Sequence, residues 1–312
     1  MSGDVPWRIF TNSGLPPADG RPVTLPEVPR WRTPKPVDGE PWEFVLPEGL
    51  DHVVNAALHL RRPLLLTGPA GSGKSTLAWR LAEELGLGPL LKWHITSKSV
   101  RDDGLFQYDA LGRLHESQRQ GGGDPKIGDY VTLGPLGTAL AASDRPRVVL
   151  IDEIDKSDLD LPGDLLDVLE NGEFTIPPLA RVRSAEPFRV VGDDQGEYEI
   201  PASGVVKRKH FPVIVFTSNQ ERTFAPPFLR RCVRFTIGNP DRDALVDIVK
   251  AHLGADATGD EAIDSFVERL ERGETIAVNQ LLDLLHLVTG QPLGPAAEKV
   301  LRKYLTSDLT GP

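Results

Sequence analysis

The sequence predicts an α/β fold, a parallel sheet sandwiched by helices, followed by a small all-helical domain. Three observations predict it. An apolar run, Leu64-Leu65-Leu66-Thr67, leads into the glycine-rich octapeptide Gly68 to Ser75 and then into a helical pattern from Thr76 to Leu81. A second apolar run, Val148-Val149-Leu150-Ile151, ends directly in Asp152-Glu153. Beyond Asp241 the apolar positions recur only at helical spacing. Short continuous apolar runs of this kind read as buried strands.

Taken in order, residues 1–47 stand apart as an arm. Ten of the 28 prolines lie there (6, 16, 17, 22, 26, 29, 34, 36, 41 and 47), with Trp7, Trp31 and Trp42 among the five tryptophans. Proline at this density forbids regular helix and favours extended chain. Disordered tails are poor in tryptophan, so the arm is expected to lie along the body or dock on a neighbour. The α/β domain is expected over 48–238. From Glu48 to Arg62 the positions Leu50, Val53, Val54, Ala57 and Leu58 mark a helix. After the loop and its helix, Leu90 to Ile95 reads as a strand, with His94 expected to be packed or capping. Residues 101–135 read as a glycine-rich hairpin insertion with a mobile tip at Gly121-Gly122-Gly123, open between a client contact and a plain long loop. Gly134-Pro135-Leu136 opens a helix to Ala142, and Asp164 to Leu169 form another. Residues 172–210 read as a second hairpin insertion, with β-like runs at 174–176, 188–191 and 198–200. Phe211 to Thr217 is the next buried strand, and Val233 to Ile237 the last. Residues 239–306 form the helical domain, with leucine stripes as its core, and 307–312 a tail.

The octapeptide fits G-x-x-x-x-G-K-[ST] between a strand and a helix, where a phosphate-cradling loop must sit. Its glycines let successive N–H groups converge on phosphate oxygens, and the helix N-terminus adds a favourable dipole. Gly68, Pro69, Ala70, Gly71, Ser72, Gly73, Lys74, Ser75 and Thr76 are therefore the expected nucleotide contacts, with Lys74 on the β- and γ-phosphates and the Ser75 hydroxyl on Mg²⁺. Asp152 and Glu153 stand at the C-terminal end of a strand, where open α/β sheets bind ligands. One carboxylate there suits the metal, and the other suits polarising a water. Asn219, at the tip of the strand ending in Thr217-Ser218, is a candidate to orient that water, against a plain turn-capping asparagine. Arg230 and Arg231 follow a short helix; paired arginines are usually solvated, but in an assembling ATPase they are candidates to reach a γ-phosphate held by the next subunit.

Composition removes other classes. The chain has 312 residues, one cysteine (Cys232) and a net charge of −10. A disulfide framework is excluded, a reducing cytoplasm is expected, and no general attraction to nucleic acid or anionic membrane is expected. Nowhere do about 18 consecutive apolar residues occur, so no membrane partner is expected. No N-K-x-D guanine-reading motif occurs, which favours ATP over GTP.

The series Gly68 to Ser75, VVLIDEIDK at 148–156, Asn219 in TSN and Arg231 in FLRRC, followed by a helical lid, resembles the AAA+ P-loop ATPases, and within them the MoxR-like group. The resemblance covers about residues 46 to 305. It identifies Lys74 and Ser75 with the Walker A motif, Asp152 and Glu153 with Walker B, Asn219 with sensor 1, and Arg231, beside Arg230, with the arginine finger. The two insertions match that group's helix-2 insert and pre-sensor hairpin. A basic sensor 2 residue is lacking from Glu274 to Gln280; Arg272 is the nearest candidate. What the resemblance implies is a Mg-dependent ATP hydrolase forming a homo-oligomeric ring, typically a hexamer, that remodels or activates a protein client. Partners with von Willebrand A domains are common in the group, and the arm together with residues 96–114 resembles a bacterial subset tied to conflict or signalling systems with peptidase-like partners. A nucleotide-gated signalling scaffold, with hydrolysis as reset, is the alternative; a nucleic-acid translocase is disfavoured by net acidity.

Overall fold

The computed structural model describes residues 7, 9–10, 21, 23–32, 44–119, 125–182, 184–254, 260–290 and 293–309. Trp42 and the triglycine tip at 121–123 lie outside them. The chain divides into two compact units: Leu46–Gly238, and a second combining the described part of 1–45 with Asn239–Pro312.

The first unit runs α1 (Leu50–Leu60), β1 (Leu64–Thr67), α2 (Lys74–Glu84), β2 (Leu91–His94), α3 (Arg101–Leu105), β3 (Phe106–Tyr108), α4 (Ala110–Arg119), β4 (Val131–Leu133), α5 (Pro135–Ala141) and β5 (Val148–Asp152). It continues with α6 (Leu161–Asn171), β6 (Glu173–Thr175), α7 (Pro177–Ala180), β7 (Phe188–Val191), β8 (Glu197–Ile200), β9 (Val205–Lys207), β10 (Val213–Ser218), α8 (Pro226–Leu229) and β11 (Val233–Thr236). The central sheet is five-stranded in the order β11-β1-β10-β5-β2, parallel throughout. Leu64 to Leu66, Val148 to Ile151 and Ile214 to Phe216 are all buried at its centre, as strands covered on both faces must be.

The two insertions are not independent hairpins. β3 and β4 pair antiparallel, β7 and β8 pair antiparallel, and β4 joins β7 in parallel through Thr132 and Val191, so one four-stranded sheet β3-β4-β7-β8 is built from both. The run at 174–176 pairs instead with β9 in a separate ribbon. Such pairings depend on edge strands finding each other across the chain, which local sequence pattern does not encode. Residues 110–119, expected within a loop-like hairpin, form a helix without a buried side chain.

Arg147, just before β5, clips this sheet to the core. Its Nη1 donates to Asp194 Oδ2 at 2.6 Å and to the Tyr198 hydroxyl at 3.2 Å, and its Nη2 donates to the Pro89 carbonyl at 2.9 Å. Burial works to raise the Asp194 pKa, but hydrogen bonds from Arg147, the Gly196 N–H and Tyr198 outweigh it and hold the carboxyl below its ordinary value. Burial and the same carboxylate push the Tyr198 phenol up to about 12. Arg147→Met should destabilise the unit by about 2 kcal/mol at neutral pH, since it strips a part-buried carboxylate of its cation. A carboxyl with a depressed native pKa stabilises above its unfolded value, near ~3.9, and loses that contribution as pH falls through the native value. The gap between native chain and variant in urea unfolding should therefore close below about pH 4.

The second unit contains α9 (Arg242–Leu253), α10 (Asp260–Glu271), α11 (Val278–Gly290) and α12 (Pro295–Leu305), around a core that includes Leu245, Val249, Phe266, Leu281 and Leu285. Within it the turn Arg30–Arg32 docks on the helices. Trp31 Nε1 donates to Asp283 Oδ1 at 3.0 Å, Arg32 pairs with Asp283 Oδ2 at 2.6 Å, and the Trp31 ring meets His252 and His286 edge-on at 6.2 and 5.3 Å. This part of the arm is bound in cis. Trp31→Ala should cost about 2 kcal/mol, less than the ~3–5 for a fully buried tryptophan because the ring is part-exposed, and should speed amide exchange in α11. Among the described residues no helix is long and apolar enough to cross a membrane.

Candidate active site

The phosphate loop leaves the C-terminal end of β1 and closes at Gly73, whose left-handed backbone (φ 78°) caps α2. Gly68 cannot be replaced without movement: a Cβ there would stand 2.4 Å from the Ile237 carbonyl. Ala70 and Gly71 are exposed at the crest, whereas Pro69, Ser72, Gly73, Ser75 and Thr76 are half-buried. Lys74 is buried, and its Nζ donates to the carbonyls of Gly68 (2.9 Å) and Pro69 (2.7 Å). Burial lowers its pKa, and the charges of Asp155, Asp152 and Glu153 oppose the shift.

The parallel register brings the acid pair to this loop. Asp152 Oδ1 accepts from the Ser75 hydroxyl at 2.7 Å and from the Thr217 hydroxyl at 2.7 Å; Oδ2 is 3.0 Å from Lys92 Nζ. Burial works to raise the Asp152 pKa, but the bonds from Thr217, Ser75 and Lys92 prevail and hold it below the usual carboxylate value. Glu153 takes a left-handed backbone, φ 61° and ψ 47°, which costs a non-glycine residue about 1 kcal/mol or more and is characteristic of functional sites. Its N–H donates to Thr217 Oγ1 at 2.9 Å. Its carboxylate accepts from Asn219 Nδ2 at 3.2 Å and from Lys156 Nζ at 2.7 Å, with His94 Nε2 at 3.6 Å. His94 is thus neither packed nor capping. It lies on the exposed edge of β2 opposite Asp152, because Leu91 and Trp93 take the buried positions of that alternating strand.

Asn219 is aimed by a buried carboxylate that sequence reasoning passed over. Asp155 Oδ2 accepts from the N–H groups of Asn219 (3.0 Å) and Glu221 (3.1 Å), while the Arg222 guanidinium holds the Asp155 carbonyl at 2.9 and 2.6 Å. Thr217, Lys92 and Asp155 were the residues missed. Thr217 had a signal, since it is the hydroxyl at the end of an apolar strand one residue before Ser218-Asn219.

Arg230 and Arg231 are not part of this cluster. β11 begins at Val233 opposite Leu64, at the strand end remote from the phosphate loop, roughly 10 Å or more along the sheet. Arg62 fixes the local backbone by donating to the carbonyls of Arg230, Arg231 (3.1 Å) and Cys232 (3.1 Å). Arg230 is exposed; Arg231 pairs with Glu170 at 2.7 Å and lines a cleft of about 620 Å³ with Asp160, Asp164 and Phe224. Arg272, just past the end of α10, is exposed and pairs with Glu268 of that helix at 3.0 Å.

The donors at Ser75 and Asp152 are oxygens only, the ligand type a hard divalent cation takes, and a lysine ammonium already lies against that carboxylate. The residues present fit Mg²⁺.

Residues 63–232 match the AAA domain family, dynein-related subfamily. Among curated proteins the chain is similar to an ATP-dependent protease ATP-binding subunit-like protein of Rhodococcus erythropolis, 34% identical over 123 residues, covering 37% of this chain and 31% of that protein. It is also similar to the chaperone protein ClpB of Chlamydia muridarum, 26% identical over 208 residues, covering 62% of this chain and 22% of that protein. The chain thus spans a fifth to a third of the length of these relatives. Of solved structures, a variant of Thermotoga maritima RuvB aligns with a TM-score of 0.46 at 16% identity, covering 81% of this chain and 67% of that one. The matched span runs from the residue before β1 to the residue before β11, taking in the phosphate loop, the acid pair and Asn219, and the chain belongs to the AAA domain family, dynein-related subfamily, among the AAA+ ATPases.

Proposed function

We propose that the chain is a Mg-dependent ATP hydrolase of the MoxR-like group that assembles into a homo-oligomeric ring, a hexamer in the form the group typically takes, and uses hydrolysis to remodel or activate a protein client. The observation that carries the hydrolytic reading is the convergence of Ser75, Asp152, Glu153 and Asn219 at the C-terminal ends of adjacent strands, with Asn219 Nδ2 3.2 Å from Glu153 Oε1.

In this reading the loop N–H groups and Lys74 bind the phosphates, and Ser75 and Asp152 hold Mg²⁺. Bound Mg²⁺ supplies charge neutralisation at the β- and γ-phosphates. Glu153 takes the proton of the attacking water at its carboxylate, and Asn219 holds both that carboxylate and the water in line. Arg231 exchanges Glu170 for the γ-phosphate of the neighbouring subunit. Likeness to a protease ATP-binding subunit and to ClpB supports a protein client over nucleic acid. A von Willebrand A or peptidase-like partner, and a cytoplasmic site of action, belong to the same reading.

The second reading, a nucleotide-gated scaffold, draws on Arg272: the nearest sensor 2 candidate is engaged with Glu268. ATP turnover measured against protein concentration, with and without EDTA, separates the two. A rate per chain that rises with concentration and vanishes in EDTA is expected of the ring machine. A rate independent of concentration overturns the shared-site reading, and no turnover under any condition overturns hydrolysis.

A further inference from the structure

Lys92 lies on β2 opposite Leu150, two positions short of the residue facing Asp152, and its extended side chain runs along the strand to reach Asp152 Oδ2 at 3.0 Å. Two hydroxyls already fill Oδ1. A cation that approaches Oδ2, the oxygen those hydroxyls leave free, therefore meets the Lys92 ammonium. An ammonium and a divalent ion cannot share one carboxylate edge without strong repulsion. The Lys92 side chain is 43% exposed on a flexible four-carbon stem, so it has solvent to swing into.

Resting on the reading of this site as a Mg-nucleotide site, we infer that Lys92 is a competing counterion: it neutralises Asp152 whenever the divalent cation does not, and it must be displaced for that cation to load. The residue thus weakens metal binding while keeping the acid pair compensated. A supporting role, in which Lys92 helps to hold the metal's water shell, is the opposite case and makes the opposite prediction.

The test is calorimetric titration of Mg²⁺ into the full chain saturated with ADP, where no turnover intervenes. Lys92→Met should bind Mg²⁺ roughly fivefold tighter, the factor a half-exposed ion pair of about 1 kcal/mol is worth. Lys92→Arg, which keeps the charge, should stay near the native affinity. The Met effect should narrow in about 0.5 M KCl as the pair is screened. Lys92→Gln repeats the loss of charge should the Met variant not fold. Affinity unchanged or weakened in both neutral variants overturns the inference. A native chain that takes up no Mg²⁺ with ADP overturns the reading of the site and the inference with it.

Discussion

Glu153→Gln should lower ATP turnover by about 10²- to 10⁴-fold, the range a positioned general base contributes, while nucleotide affinity stays within a few fold. Glutamine keeps an oxygen to accept from Asn219, so the geometry built on that 3.2 Å contact persists, but it cannot take a proton at neutral pH. Phosphate release under saturating ATP gives the turnover, and titration with a fluorescent ATP analogue gives the affinity. A kcat within tenfold of the native chain would show that Glu153 is not the base. The three groups around its carboxylate, Asn219, Lys156 and His94, would then serve only to hold it in place.

Arg231→Ala should lower turnover about 10³-fold or more, the lower end of what an arginine finger contributes, and only in assembled protein. Its guanidinium pairs with Glu170 and not with the phosphate loop or acid pair of its own chain, so the expected catalytic contact comes from a second chain. Lys74→Ala removes the other half of such a shared site. Each variant alone should be inactive, and an equimolar mixture should regain part of the native rate, because some interfaces join an intact loop to an intact arginine. Absence of recovery in the mixture, with both variants folded and assembled, would leave Arg231 as the partner of Glu170 and nothing more.

How much of this was legible follows from how each contact is made. Residues 68–75 carry their own geometry, because a loop between one strand and one helix needs only local backbone freedom. Asp152 and Glu153 were legible for the same reason: strand polarity alone places them. Lys92 and His94 were not, since each acts through the cross-strand register of β2 and β5, and Thr217 offered only its place at a strand end, its contact with Asp152 being set by the pairing of β10 with β5. Asp155 was hidden differently. A buried aspartate that serves backbone N–H groups looks, in sequence, like one more charge in an acidic stretch. The docking of Trp31 was half-legible: a tryptophan in a proline-rich arm announced a partner, and Asp283 with its flanking histidines named it only in three dimensions.

The joint between the insertions bears on how the chain is made. Thr132 must wait for Val191, and β1 must wait for β10 and β11, both encoded about 150 residues further on. At ~5–20 residues per second, a ribosome leaves the first strand unpartnered for on the order of ten seconds or more, far longer than local collapse takes. Every open edge in that interval is a template for a wrong strand. Truncations that end before β11 leave β1 as an unpaired edge, so the α/β unit is expected to fold as a single unit of biosynthesis, and shortened versions are expected to aggregate on expression.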